Sequence, residues 1–205
     1  MKRSTLRRQA RFPQRRVALT FDDGPNPVYT PQILAVLERV SGKATFFMIG
    51  EQMERYPDVV RQVAEAGHEI GNHTFSHPRL TGISRAECRS EIRRAELLIR
   101  KLTGRAPTAL RPPYLDIDDT VARIAASAGY TIVGASNLEA RDWEQPGVRH
   151  IYERSLECVA NGSVLLFHDG YGDRSQTVEA VGLLADKLSG QGYKLVTASE
   201  LLADE

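Results

Sequence analysis

The chain has 205 residues, 41% hydrophobic and 26% charged, long enough to bury one sizeable core without disulfide or metal staples and too apolar for wholesale disorder. No apolar run reaches the roughly 18 residues of a membrane-spanning helix. The net charge of +1 is unevenly spread: residues 1–16 carry seven basic groups and no acid, so the chain from Val17 onward is net acidic and offers no basic field for nucleic acid.

Residues 1–16 therefore read as a flexible basic arm, and residues 17–205 as one globular domain. The arm lacks the apolar h-region of a secretory signal, which leaves compartment and export route open. Cys88 and Cys158 form no CxxC and are too few for a disulfide framework.

Val17–Phe21 is a short apolar run that ends in Asp22-Asp23-Gly24-Pro25. Thr30-Pro31 then supplies an N-cap residue with proline at the first helical position, ahead of Ile33, Leu34 and Leu37. A second run, Ala44–Ile49, precedes a helix near Met53–Ala66, and Glu69–Ile70 is a weak third strand leading into Gly71. Ser84 and Glu87 make a capping box. The helix it opens places Cys88, Ile92, Ala95, Ile99 and Leu102 on one apolar stripe, and Gly104 stops it. Beyond it, strands at Ala109–Leu110, Thr131–Ala135, Val164–Phe167 and Lys194–Thr197 alternate with helices near Thr120–Ala128, Val148–Ala160 and Thr177–Leu188.

Seven strand–helix alternations predict a parallel sheet in an α/β fold, because parallel strands need helix-length crossovers. An open sheet concentrates its site at one switch point. Here reactive residues follow nearly every strand, which suits a ring with a common top face. The predicted architecture is a distorted (β/α) barrel of about seven parallel strands in a single domain.

His73-Thr-Phe-Ser-His77 places two imidazoles within reach of one ion, on a helical turn or in a tight loop. By itself an HxxxH pair is more often two capping or surface histidines. Asp22-Asp23 at the end of the first strand offers a third ligand, and one Asp with two His leaves a position open for water. The second Asp, beside the metal rather than on it, is placed to take a proton from that water. Asp-Asp-Gly-Pro also reads as plain turn chemistry. A glycosidase pair is a further alternative, but its carboxylates must stand roughly 5–9.5 Å apart across a sugar ring, which suits adjacent residues poorly.

Five ordered motifs, Thr20–Pro25, His73–His77, Arg111–Tyr114, Asp142-Trp143 and Leu166-Phe167-His168, make the chain resemble the polysaccharide deacetylases of carbohydrate esterase family four. This group shares the nodulation-type chitooligosaccharide deacetylase domain. The resemblance runs from about Val17 to Leu202 and implies a distorted barrel with fewer than eight strands. It implies that Asp23, His73 and His77 bind one divalent metal, most often zinc or cobalt. Asp22 would be the catalytic base, oriented by Arg111, and His168 the general acid, tuned by Asp142. The Tyr114 N–H would stabilise the oxyanion, while Tyr114, Trp143 and Leu166 would contact the substrate. Leu115 stands where relatives commonly carry Gly, which puts the oxyanion loop in question. Glu139 replaces a common Asp and is given no role.

The implied reaction is metal-dependent removal of acetyl groups from N-acetylglucosamine units of chitin, chitooligosaccharide or peptidoglycan. The alternatives are O-acetyl xylan esterase chemistry at the same site or a non-catalytic carbohydrate-binding domain.

Overall fold

The computed structural model describes residues 15–203, so most of the basic arm lies outside the described residues. Arg15 and Arg16, which the sequence assigns to that arm, take part in the fold. Arg16 opens the first strand, and Arg15 donates to the Gln191 carbonyl at 2.9 Å.

The strands are β1 (Arg16–Asp22), β2 (Thr45–Met48), β3 (Glu69–Asn72), β4 (Ala109–Leu110), β5 (Thr131–Ile132), β6 (Val164–His168) and β7 (Lys194–Leu195). All pairings are parallel, in the order β5-β4-β3-β2-β1-β6, with β7 paired to the start of β1. The sheet curls into a half-barrel, with β5 and β6 facing each other across the seam. Backbone pairing is sparse there, and one side chain supplements it. Asn137 donates to the Leu166 carbonyl at 3.0 Å and accepts from the Leu166 N–H at 2.7 Å, above a Ser136 N–H to Val164 carbonyl bond of 2.9 Å. A carboxamide carries both donor and acceptor, so it can stand in for a strand residue.

The helices are α1 (Tyr29–Arg39), α2 (Gly50–Arg55), α3 (Pro57–Glu65), α4 (Arg85–Thr103), α5 (Asp119–Ser127), α6 (Val148–Glu157), α7 (Ser175–Gly190) and α8 (Ala198–Ala203). On α4 both halves of the Ser84–Glu87 capping box form, Cys88, Ile92, Ala95 and Ile99 are buried, and Gly104 caps the end at φ +72°. Leu102 is only half-buried.

Two expectations for the helices fail. The segment Met53–Ala66 is two helices, because Pro57 supplies no N–H and holds Tyr56 at φ −130°, ψ 55°. Thr30 is not the cap of α1. Asn26 Oδ1 accepts the Val28 and Tyr29 N–H groups at 2.8 and 3.1 Å, while the Thr30 hydroxyl binds the Asn26 N–H and the buried Asp169 carboxylate.

The main core lies between the sheet and α1, α3, α4, α6 and α7, around Phe21, Phe46 and Phe167. Phe21 stacks on Phe46 with ring centroids 5.0 Å apart. Because every strand runs the same way, the strand C-termini share one rim.

Candidate active site at the carboxyl ends of the strands

Asp22 is the last residue of β1, and Asp23 turns away from it at φ +71°. Beneath Asp22 lies Arg111, which follows β4 and is fully buried. Its guanidinium donates to Asp22 Oδ1 at 2.8 Å, to Thr20 Oγ1 at 2.7 Å, and to the carbonyls of Gly134 at 2.8 Å and Val133 at 3.2 Å. It also rests 4.3 Å over the Phe47 ring. A buried charge is tolerated when its donors are met this fully, and the planar fork fixes which way the Asp22 carboxylate faces.

His73 and His77 lie in a tight loop after β3 rather than on a helix, with Thr74 at φ +66° and His77 at φ +61°. His73 Nδ1 donates to the Arg111 carbonyl at 2.6 Å, which leaves Nε2 facing Asp23 Oδ1 at 3.4 Å. His77 Nε2 stands 3.1 Å from the same oxygen.

Several bonds over-determine this loop. Asn72 Oδ1 accepts the Thr74 N–H at 2.9 Å. Glu91, reaching over from α4, accepts the Phe75 N–H at 2.9 Å, the Ser76 N–H at 2.8 Å and the Ser76 hydroxyl at 3.0 Å. Positive φ at non-glycine residues costs energy, and these bonds are what sustain it.

The donor set fits a divalent cation. One ligand atom each from Asp23, His73 and His77 lies within 4.8 Å of the others. Asp23 Oδ1 is buried and, apart from the two candidate histidine ligands, has no hydrogen-bond partner among the described residues. Burial works against a charged His73, yet Asp22 and Asp23 raise its pKa above the ordinary imidazole value. The pocket attracts positive charge, and a bound cation would supply it in place of the proton. Two nitrogens and a carboxylate suit zinc-like ions.

Across the cleft, His168 ends β6. Its Nδ1 stands 2.9 Å from Asp142 Oδ1, and its own N–H donates to Asp142 Oδ2 at 2.7 Å. Thr177 on α7 completes the Asp142 cradle at 3.1 Å. Burial alone lowers the pKa of His168, but the charge and hydrogen bond of Asp142, helped by Asp22 and Asp23, push it up to about 9. The indole of Trp143 meets the His168 ring edge-on at 5.4 Å.

The cleft between these two halves has a volume of about 460 Å³, and Asp22, Asp23, His73, His77, Tyr114, Trp143, Leu166 and His168 all line it. Arg111 and Asp142 are buried behind it as supports. Sequence reasoning did not identify the wall residues Leu115 and Leu138, the orienting partners Thr20 and Thr177, or Glu91 and Asn137. A glutamate 14 positions after His77 on an otherwise solvated helix face carries no local signal of its role.

Leu115 adopts the left-handed backbone that a glycine would take easily at this turn. Tyr114 and Leu115 both take positive φ, +59° and +53°. The turn's own bonds use the Leu115 and Asp116 N–H groups, at 3.0 Å each. The Tyr114 ring is 58% exposed and packs edge-on against His77 at 4.7 Å.

A curled parallel sheet with an Asp-His-His ligand set and a separate Asp–His pair on its carboxyl rim defines a barrel-type, metal-dependent hydrolase. Comparison with known proteins makes the class specific. Residues 9–133 match the family described as Polysaccharide deacetylase. A peptidoglycan-N-acetylglucosamine deacetylase of Bacillus cereus is 42% identical over 187 residues, covering 91% of this chain and 87% of that protein. A chitooligosaccharide deacetylase of Bradyrhizobium is 37% identical, covering 88% of each. The crystal structure of a peptidoglycan N-acetylglucosamine deacetylase bound to 4-naphthalen-1-yl-N-oxidanyl-benzamide superposes with a TM-score of 0.91 at 35% identity, covering 95% of this chain and 91% of that one. The chain belongs to the polysaccharide deacetylase family, whose members are metal-dependent.

Proposed function

We propose that the protein hydrolyses the acetamido group of N-acetylglucosamine units in a polysaccharide, peptidoglycan or chitooligosaccharide, using one zinc or cobalt ion held by Asp23, His73 and His77. The observation that carries this reading is the asymmetry of the cleft. A ligand triangle around one buried carboxylate oxygen, and an adjacent carboxylate clamped by a buried arginine, face a carboxylate-bound imidazole. The deacetylase relatives support the substrate class.

The metal, when bound, acidifies water and polarises the acetyl carbonyl. Asp22 is oriented by the Arg111 fork and takes the proton from the attacking water. The Tyr114 N–H is free of the turn's bonding and offers a fixed donor to the developing oxyanion. His168, kept protonated by Asp142, delivers its proton to the departing nitrogen through Nε2, since Nδ1 is held by Asp142. Leu166 and Trp143 form an apolar wall against which the acetyl methyl group packs. An amine leaves far less readily than an alcohol, so His168→Ala costs amide hydrolysis more than hydrolysis of O-acetylated xylan. Equal losses on the two substrates would remove His168 from proton donation.

The experiment that tests the whole reading measures free acetate from chitooligosaccharides, peptidoglycan and acetylxylan, before chelation, after it, and after metal replacement. Release from the N-acetylated polymers that stops on chelation and returns with zinc or cobalt is expected. Glycan binding without acetate release at any metal load would make the domain a binding module.

A further inference from the structure

Four arginines stand on the segments framing the cleft, and three are committed. Arg111 is buried in its fork. Arg174 is buried and donates to the Gly170 carbonyl at 2.8 Å. Arg141 lies between Glu139 and Glu144, at 3.6 and 3.9 Å. Arg79 is exposed, two residues past the ligand His77, and among the described residues it has no carboxylate partner. Asp116, the acid close to it in the fold, is taken by the N–H and hydroxyl of Thr81 at 3.0 and 2.7 Å.

Arg79 is nonetheless held in place. Its guanidinium lies 4.3 Å over the centroid of the Tyr114 ring, and the edge of that ring meets His77. Stacking restricts the arginine while leaving its in-plane N–H donors directed at solvent. The result is an oriented cationic fork on the rim, separated from the ligand triangle by a single aromatic ring. A chain whose acetamido group entered the cleft would pass this rim with a neighbouring sugar.

Neutral N-acetylglucosamine polymers offer such a group only neutral oxygens and no charge to pair with. A bacterial wall strand does, because every second sugar carries a lactyl ether that ends in a carboxylate or in a peptide bearing carboxylates. We propose that Arg79 is a carboxylate-binding subsite that selects peptidoglycan strands over neutral chitin-type chains by pairing with a carboxylate of the muramic acid unit next to the one being deacetylated. The proposal rests on the deacetylase reading above, and deepens it.

The test compares three probes on the zinc-loaded protein and its Arg79→Gln and Arg79→Lys variants: an N-acetylglucosamine tetramer, a peptide-free wall-strand tetramer, and the same strand bearing its stem peptides. Binding titrations run beside acetate release. Arg79→Gln is expected to weaken binding and raise KM about fivefold on the carboxylate-bearing strands, the scale of one exposed but oriented ion pair, and distinctly less on the neutral tetramer. Arg79→Lys should restore part of the difference, and high salt should erase it in the parent protein. A larger effect on the peptide-free strand assigns the lactyl carboxylate, and a larger effect on the peptide-bearing strand assigns the stem. Equal losses on charged and neutral probes would reduce Arg79 to a prop for Tyr114 and overturn the assignment. The titrations decide this even if no acetate is released, so a failure of the deacetylase reading remains distinct.

Discussion

The two ends of the barrel each set a histidine beside a carboxylate, and they treat the pair in opposite ways. At the amino ends of the strands, the His68 ring accepts the Ala44 N–H at 3.2 Å, and burial with Lys43 nearby lowers its pKa to about 4. Next to it, Glu69 receives the Thr45 hydroxyl at 2.6 Å, the Ser199 N–H at 3.1 Å and the Ser199 hydroxyl, which ties the start of α8 to the sheet. At the carboxyl ends, Asp142 drives His168 up to about 9, and Asp23 keeps a buried oxygen with no partner but the two candidate histidine ligands. On the lower rim, His68 and Glu69 are met by neutral donors. The upper rim holds an imidazole of raised pKa and a strained backbone, features that cluster at functional sites.

Substitutions sharpen that contrast. The largest effect is expected for Asp22→Asn, which should lower kcat by about 10³-fold while metal content per chain stays near that of the parent. Loss of metal together with activity would instead make Asp22 a ligand.

Glu91→Gln removes a charged acceptor from the loop between the two histidines. It should weaken zinc affinity about tenfold, the usual scale for a group supporting a ligand, as read by competition with a chromophoric chelator. Unchanged affinity would leave Glu91 a stabiliser of α4 alone.

His168 must be protonated to act, and its pKa is raised, so activity should persist up to an alkaline limb and fall as pH rises through it. A bound dication places that limb below about 9. Asp142→Asn should move it further toward the ordinary imidazole range, seen in the pH profile of kcat. A profile unmoved by the substitution would separate Asp142 from the acid.

The smallest effect belongs to the lower rim. His68 folds neutral, and its depressed pKa means the unfolded chain binds the proton more readily. The stability it contributes is therefore present above the imidazole's ordinary pKa of 6.5 and is lost as pH falls toward about 4. His68→Gln should flatten denaturant midpoints across that window without changing kcat at neutral pH. A change in kcat would show that the two rims are coupled.

How much of this was legible in the sequence depended on the range of the interaction concerned. The α4 capping box, its buried stripe and the Gly104 stop follow from residues within one or two turns of each other, and all appear in the structure. The sequence also located every strand to within a few residues, because most are apolar runs bounded by turn residues and the weak ones, such as Glu69–Ile70, fall between well-signalled helices. Where a distant partner competed, local reading failed. Thr30 looked like a cap until Asp169, 139 residues away, claimed its hydroxyl. The Met53–Ala66 pattern hid the break that Pro57 imposes.

The sequence by itself determined which residues could carry the chemistry: an Asp-Asp turn, an HxxxH and later Arg, Asp and His motifs supply the candidates, and the family resemblance they carry implies the roles of ligand, base and acid. Only the tertiary structure decided how they are aimed: that Arg111 meets Asp22 from beneath, that Glu91 secures the histidine loop, that Asn137 spans the seam between β5 and β6, and that Arg79 is left facing outward on Tyr114. Residue type sets what a group is able to donate, accept or ligate. Direction, burial and the company of other charges are set by residues far away in the chain, and they exist only once the sheet has curled.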